Sequence, residues 1–489
     1  MRQHLPRLTE ERFGTLGHYL LATLSVVTPL SIAAIDTCLV ILTLAWLGFL
    51  CSTGRLKSPA RVLQQNPVIA SIATPMLVWF LFSTIATCIG LGSMNSVFEL
   101  VKVAIYLSVP FVVYQILSAP DIKPQELLGR ISFYCCLLLI GQALAALHSV
   151  IELSFPELLL SKSALKPPGP VTEAGQVLLV FGALIFLLLL TRFEQRKLER
   201  RPVIGLGIGL YCAVTGLVCA WAHLLNIPAL PRAVKLIFIL SILVIFAYTS
   251  YKGLAAFRAF DFAKYSNPWF QRFIITAGSL IALALLINLK RGPWLGVFIL
   301  IMLVSFAVSR RLGIGALLTS LLVLVAFNPV QDRLFQVSDH FSIAGGRKSM
   351  WSLGLEIIQR YPLGLGVRNA KFMRELDPTL PEAHRHLHNN ILNIAAESGI
   401  MGSLVFIWWM FAIFKLGFSG FSKLRNMDDQ TAKSLALCLL ALTATLVGWQ
   451  VAGLAEYNYG DGEVRMIAFY YLGYILAITS IYSRHEKQV

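Results

Sequence analysis

The chain has 489 residues, 57% of them hydrophobic and 13% charged, and carries a formal net charge of +16. With a mean hydropathy of +0.71, this is not the composition of a soluble globular domain. The positive charge does not point to nucleic acid either, because the basic residues are dispersed at the ends of apolar runs and not clustered on one polar face.

Apolar runs of bilayer-crossing length recur from end to end. Spans are expected near 16–33, 34–51, 68–90, 97–118, 128–150, 174–191, 203–223, 231–250, 270–288, 292–308, 313–329, 399–417, 434–454 and 466–482. They are rich in Leu, Ile, Val, Phe and Ala without a period of two, which excludes a transmembrane β-barrel. The expected fold is an all-α polytopic membrane protein with about 12–14 spans. The first run is too long for a signal sequence and meets a second span at once, so it reads as the first transmembrane helix.

Basic connectors at Arg55/Lys57/Arg61, Arg192–Arg201, Lys252/Arg258/Lys264, Arg310/Arg311 and Lys415–Lys433 fall on alternate sides of these spans. By the positive-inside rule that side is cytoplasmic. The connectors around 34–36, 91–97, 151–173, 224–230, 289–291 and 455–463 then lie outside, together with a long loop, 330–398. The expected organisation is a helix bundle over 1–329, an outer loop domain over 330–398 and C-terminal spans over 399–489. All eight cysteines lie in or at the ends of apolar runs, so no disulfide framework is implied.

Within the loop, Ser349–Arg360 reads as an amphipathic helix with Trp351, Leu353, Ile357 and Ile358 for a buried face. Tyr361-Pro362-Leu363-Gly364-Leu365-Gly366 ends it. Pro378 and Pro381 break the chain again, and a second helix is expected from about Ala383 toward Ser398.

Three groups on the outer face carry chemical interest. Arg291 opens Arg-Gly-Pro-Trp at a helix-to-helix turn, where Gly292 and Pro293 suit a tight bend. Arg347 follows Gly345-Gly346 at a helix start, a setting that favours anions, and Trp351 four residues on shares its face. His384, His386 and His388 alternate and would share one face of an extended strand. No carboxylate with metal-ligand spacing accompanies them, so no metal is expected. Asp461, Glu463 and Arg465 form another outer turn, where carboxylates could orient arginines. Two arginines suit a diphosphate leaving group. A neutral imidazole suits an alcohol nucleophile that must lose its proton during attack.

These residues resemble the O-antigen ligase family, relatives of the Wzy polymerases. That family's signature is His followed by Asn, Ser or Gln, then nine residues, Gly, two residues, and Gly, Thr or Tyr. Here His388-Asn389, nine residues, Gly399, Ile400-Met401 and Gly402 match it in full. The Arg-Gly turn at Arg291, the Gly-Arg…Trp element at Arg347 and Trp351, and Pro362–Gly366 are also similar to family elements.

The resemblance implies a metal-independent, cofactor-free glycosyltransferase of GT-C-like architecture in the bacterial inner membrane. Its site would face the periplasm, and lipids would surround it. It would transfer O-antigen from undecaprenyl pyrophosphate to a sugar hydroxyl of lipid A–core, with inversion. It also implies His388 as general base and Arg291 and Arg347 as pyrophosphate ligands; Asn389, Trp351 and His386 are assigned to substrate binding. Other acceptors would make the chain a Wzy-type polymerase or a protein O-oligosaccharyltransferase. A lipid-linked glycan transporter would instead carry charges deep within several spans, and these spans are nearly free of them.

Overall fold

The computed structural model describes residues 10–53, 66–91, 94–118, 122–154, 170–194, 267–288, 290–326, 346–372 and 386–486, with isolated helical positions at 244, 248, 251 and 331. Thirteen α-helices, one 3-10 turn and no strands occur among the described residues. The helices are α1 (Glu10–Val27), α2 (Ile32–Ser52), α3 (Pro67–Ile89), α4 (Met94–Leu117), α5 (Pro124–Ser154), α6 (Pro170–Glu194), α7 (Pro268–Ile287), α8 (Arg291–Val308), α9 (Arg310–Ala326), α10 (Arg347–Arg360), α11 (Asn390–Leu424), α12 (Gln430–Ala452) and α13 (Gly462–Glu486).

Ten of these are long and apolar enough to cross a membrane. The protein is a polytopic α-helical membrane protein, as the composition requires. The expected spans at 203–223 and 231–250, and His384, lie outside the described residues. The first two expected spans are divided differently from the sequence reading. The break falls at Thr28–Ser31, where Pro29 has no amide hydrogen and the Ser31 side chain accepts from Ala34 N to start α2. The same chemistry starts α3 and α7, each with an Asn cap followed by Pro, and α12, where Asp429 accepts from two backbone amides.

α13 is the buried axis of the bundle, enclosed by α4, α6 and α12. α2, α3, α9 and α11 instead expose Leu44, Leu81, Leu318 and Phe411, the apolar belt that lipid covers. α8 and α12 touch backbone to backbone: a Cβ on Gly448 would lie 2.4 Å from Gly296 O. Small residues permit such approach where lipid supplies no hydrophobic drive for helix association.

The helix connectors meet at one end of the bundle. Gln176 Nε2 donates to Thr28 O (3.3 Å), and Ser149 and Asn288 both donate to Glu173 (2.8 and 3.1 Å). Leu91 N donates to Leu365 O (3.1 Å), Lys102 pairs with Asp36 (2.9 Å), and Asn390 N donates to Gly453 O (2.7 Å). The described residues of 28–36, 90–91, 94–99, 149–154, 170–173, 288, 290–291, 361–372, 386–390 and 453–463 therefore form one polar rim.

α10 packs on this rim through Met350, Leu353 and Ile357 against Leu365, Leu387 and Ala396. Burial of such side chains stabilises by about 1.5–3 kcal/mol each. Beneath it, α11 bends at Gly399, with φ 77 and ψ 172. That backbone region belongs almost solely to glycine. A Cβ there would also stand 2.7 Å from Pro362 O and Leu363 C. The bend frees backbone groups that a straight helix would pair internally, and the Pro362–Gly366 segment satisfies them. Leu365 N and Gly366 N donate to Ala396 O and Glu397 O (2.8 and 3.0 Å), while Ile400 N donates to Pro362 O (3.0 Å). The glycines at 364 and 366, both near φ +94, make this turn possible. Two distant glycine motifs of the sequence are thus one structural device.

Candidate functional site

The second loop helix starts later than the sequence reading places it. Residues 386–389 are not helical, and α11 begins at Asn390. Asn389 is its N-cap, accepting from Leu392 N (3.0 Å) while its amide donates to Leu454 O (2.9 Å). His388, just before the cap, has φ 48. A non-glycine residue in the left-handed region is uncommon and is held there only by its surroundings. The holding is visible: Leu387 is buried, its N–H donates to Asn393 Oδ1 (3.1 Å), and its carbonyl accepts from Trp351 Nε1 (3.1 Å). The imidazoles of His386 and His388 therefore emerge on one face, 4.3 Å apart and edge to face.

Opposite them stands a residue that the sequence reading did not single out. Glu456 Oε1 lies 2.5 Å from His388 Nδ1, and Glu456 Oε2 lies 3.6 Å from Arg347 Nη2. Burial pushes the Glu456 carboxyl upward. The hydrogen bond from His388 and the charges of His388, His386 and Arg347 outweigh this and hold it below the usual carboxylate range. Glu456 is thus an acceptor and His388 Nδ1 the donor, and in the neutral form of the ring the lone pair falls on Nε2. A group oriented this way can take a proton from an alcohol.

The other expected residues fall on the same rim. Arg347 is the first residue of α10, and its Nε is buried without a hydrogen bond. Trp351, one turn on, ties α10 to the histidine segment. Arg291 is the first residue of α8; Trp294 Nε1 fastens that turn to Leu285 O (2.8 Å). The next residue, Gly292, stands against Ala452, four residues before Glu456. The structure thus brings His386, His388, Arg347 and Glu456 into direct proximity and sets Arg291 on the adjoining helix end.

The 461–465 turn lies beside two arginines, Arg368 and Arg465. Arg465 lies over Tyr106 and Tyr459, with its guanidinium carbon 4.5 and 5.4 Å from the ring centres. Arg368, at φ 62, donates to Gly460 O (3.0 Å) and pairs with Glu99 (3.5 Å). Burial, and then the nearby Glu463, push the Asp461 carboxyl up to about 7. Arg368, Arg465, Glu99 and Tyr459 line a narrow cavity with Trp79, Glu397 and Tyr457. Tyr457 packs on His386, with ring centres 5.6 Å apart, and so separates the cavity from the imidazoles.

Fold and site together define a membrane-embedded helical bundle with an ionisable centre at one rim, an arrangement suited to substrates with both lipid and polar parts. Residues 276–407 match the family model described as O-Antigen ligase. The match runs from α7 into α11 and includes every site residue expected from sequence; Glu456 lies beyond it. It makes the chain a glycosyl-transfer-related protein of the ligase and polymerase type, and it implies lipid and polysaccharide substrates. No curated protein matches the chain.

Proposed function

We propose that this protein transfers O-antigen glycan from undecaprenyl pyrophosphate to a sugar hydroxyl of lipid A–core, at the periplasmic face of the bacterial inner membrane. The observation that carries this reading is the His388–Glu456–Arg347 cluster, built on the family's own His-Asn motif. His388 Nε2 removes the acceptor hydroxyl's proton as that oxygen attacks the anomeric carbon. Glu456 stabilises the imidazolium that forms. The bond from the anomeric carbon to the diphosphate oxygen breaks, its electron pair leaves with the diphosphate, and the configuration inverts. Arg347, with an unused buried donor, and Arg291 neutralise the departing charge. Asn389 fixes the backbone that presents His388, while Trp351 and His386 shape the acceptor's approach. Proton transfer and charge neutralisation on these side chains complete the reaction without a metal.

The reading is tested by offering purified protein and lipid-linked O-antigen three acceptors side by side: core-lipid, a second lipid-linked glycan, and a serine-containing peptide. Product on the core-lipid is expected. Product only on the lipid-linked glycan would make the chain a polymerase, and product only on the peptide a protein glycosyltransferase.

A further inference from the structure

We propose that His386, His388 and Glu456 form a binding site for one Zn2+ ion, and that the bound ion inhibits transfer by occupying the imidazole the reaction needs. The inhibitory half rests on the proposed function; the binding half does not.

One donor atom from each of the three residues lies within 4.8 Å of the others. Donors around tetrahedral Zn2+, at bond lengths of about 2.0–2.2 Å, stand about 3.3 Å apart. Small rotations of the side chains are enough to close that gap, because the backbone already sets the arrangement. The His386 and His388 rings lie 4.3 Å apart, and buried Leu387, bonded at both backbone groups, anchors the segment between them. The alternating histidines noted in the sequence thus do converge at 386 and 388, and Glu456 supplies the carboxylate missing from the local sequence.

Two imidazoles and one carboxylate are a donor set that zinc enzymes use with a fourth position left open. It favours Zn2+ over Mg2+ or Ca2+, which demand oxygen ligands. Glu456 is already an anion, as a metal ligand must be. The ion would take the His388 Nδ1 lone pair while the ring proton moves to Nε2, so the imidazole stays a neutral ligand and Nε2 can no longer accept a proton. Asn393 and Trp351 bond the Leu387 backbone from its N–H and carbonyl sides and so fix the residue between the two histidines. All three ligand residues are only partly buried, so the ion has a way in. The Arg347 guanidinium, 3.6 Å from Glu456, repels it. This moderates affinity and fits a reversible inhibitor.

The test uses full-length protein in detergent, stripped with EDTA, and titrated with Zn2+ against a chromophoric chelator. One ion per chain is expected, and excess Mg2+ should not displace it. His386→Ala and Glu456→Gln should each loosen binding at least about 10-fold, since even outer partners of metal ligands carry 10–100-fold. In the unaltered chain, Zn2+ should also shield His386 and His388 from diethylpyrocarbonate, a readout that needs no variant to fold. Absence of stoichiometric binding, equal affinity in both variants, or unchanged modification would each overturn the site. In a transfer assay Zn2+ should inhibit over its binding range, and EDTA should restore turnover. Full turnover with the site occupied would overturn the inhibition. A preparation with no transfer under any condition would instead count against the proposed function, and the titration would still decide the metal site.

Discussion

Two His–Arg–Glu clusters stand toward opposite ends of this bundle, and they are wired differently. On the rim, His388 is bonded to the carboxylate of Glu456, which also meets Arg347. Toward the far end of α5, Arg130 pairs with Glu126 one turn away and reaches His18 Nε2 at 2.5 Å, while Tyr134 bonds the other ring nitrogen. His18 therefore meets a cation and a phenol, with Glu126 engaged by Arg130. A guanidinium can only donate, so His18 Nε2 must accept. In His388 the carboxylate sits on Nδ1, whereas in His18 a guanidinium sits on Nε2. The same residue types thus place a carboxylate on the imidazole in one cluster and a guanidinium on it in the other, and under the proposed function only the first arrangement suits a proton acceptor.

The contrast between the two clusters breaks most sharply on the base itself. His388→Ala is expected to lower turnover by about 100-fold or more, the usual range for loss of a general base, while His18→Ala leaves turnover near that of the unaltered chain. Glycan-extended lipid is the readout, and comparable losses in both variants would erase the distinction. Glu456→Gln should lower kcat by about 10- to 100-fold by removing the charge that stabilises the imidazolium. Retention of full kcat would reduce Glu456 to a packing role.

A smaller effect is expected from the backbone. Gly399→Ala should cost about 1–3 kcal/mol in strain alone, with further loss from the contact at Pro362, and should lower the thermal midpoint in detergent. An unchanged midpoint would mean that the bend is not required.

The pH dependence of stability is subtler. Asp461 has a folded pKa raised to about 7 from its ordinary 3.8. The folded state then binds that proton more tightly than the unfolded state. Its contribution to stability is fully present below the ordinary value and is lost as pH rises through about 7. Asp461→Asn should flatten the stability profile across that window, and an unchanged slope would assign the pH dependence to other groups. Smallest of all is the exposed Glu356–Arg360 pair at 2.7 Å. Arg360→Ala should shift stability by less than about 1 kcal/mol, because solvent screens such pairs.

How much of this was legible in the chain depends on the distance over which each feature is encoded. Apolar run length is local, as is the amphipathic spacing of α10, and together they located nearly every described helix. The His-Asn…Gly…Gly motif is also local, and its parts act in distinct physical ways. His388 presents an imidazole, Asn389 caps α11, and Gly399 bends it. The start of α11 was misplaced because favourable helix residues before Asn389 are overridden by the tertiary bonds at Leu387. Glu456 was missed because it is 68 residues from His388 and meets it only through folding. The signal available was its place in the 455–463 connector, already assigned to the same face. Among the acids there, the neighbouring Asp461 and Glu463 drew notice instead.

The central claim is that His388, held by Glu456, takes the acceptor's proton. It is tested most directly by giving purified protein a lipid-linked O-antigen donor and a core-lipid acceptor, with His388→Ala alongside. The unaltered chain should give extended lipid, and the folded variant none above background. Equal product from both would contradict it.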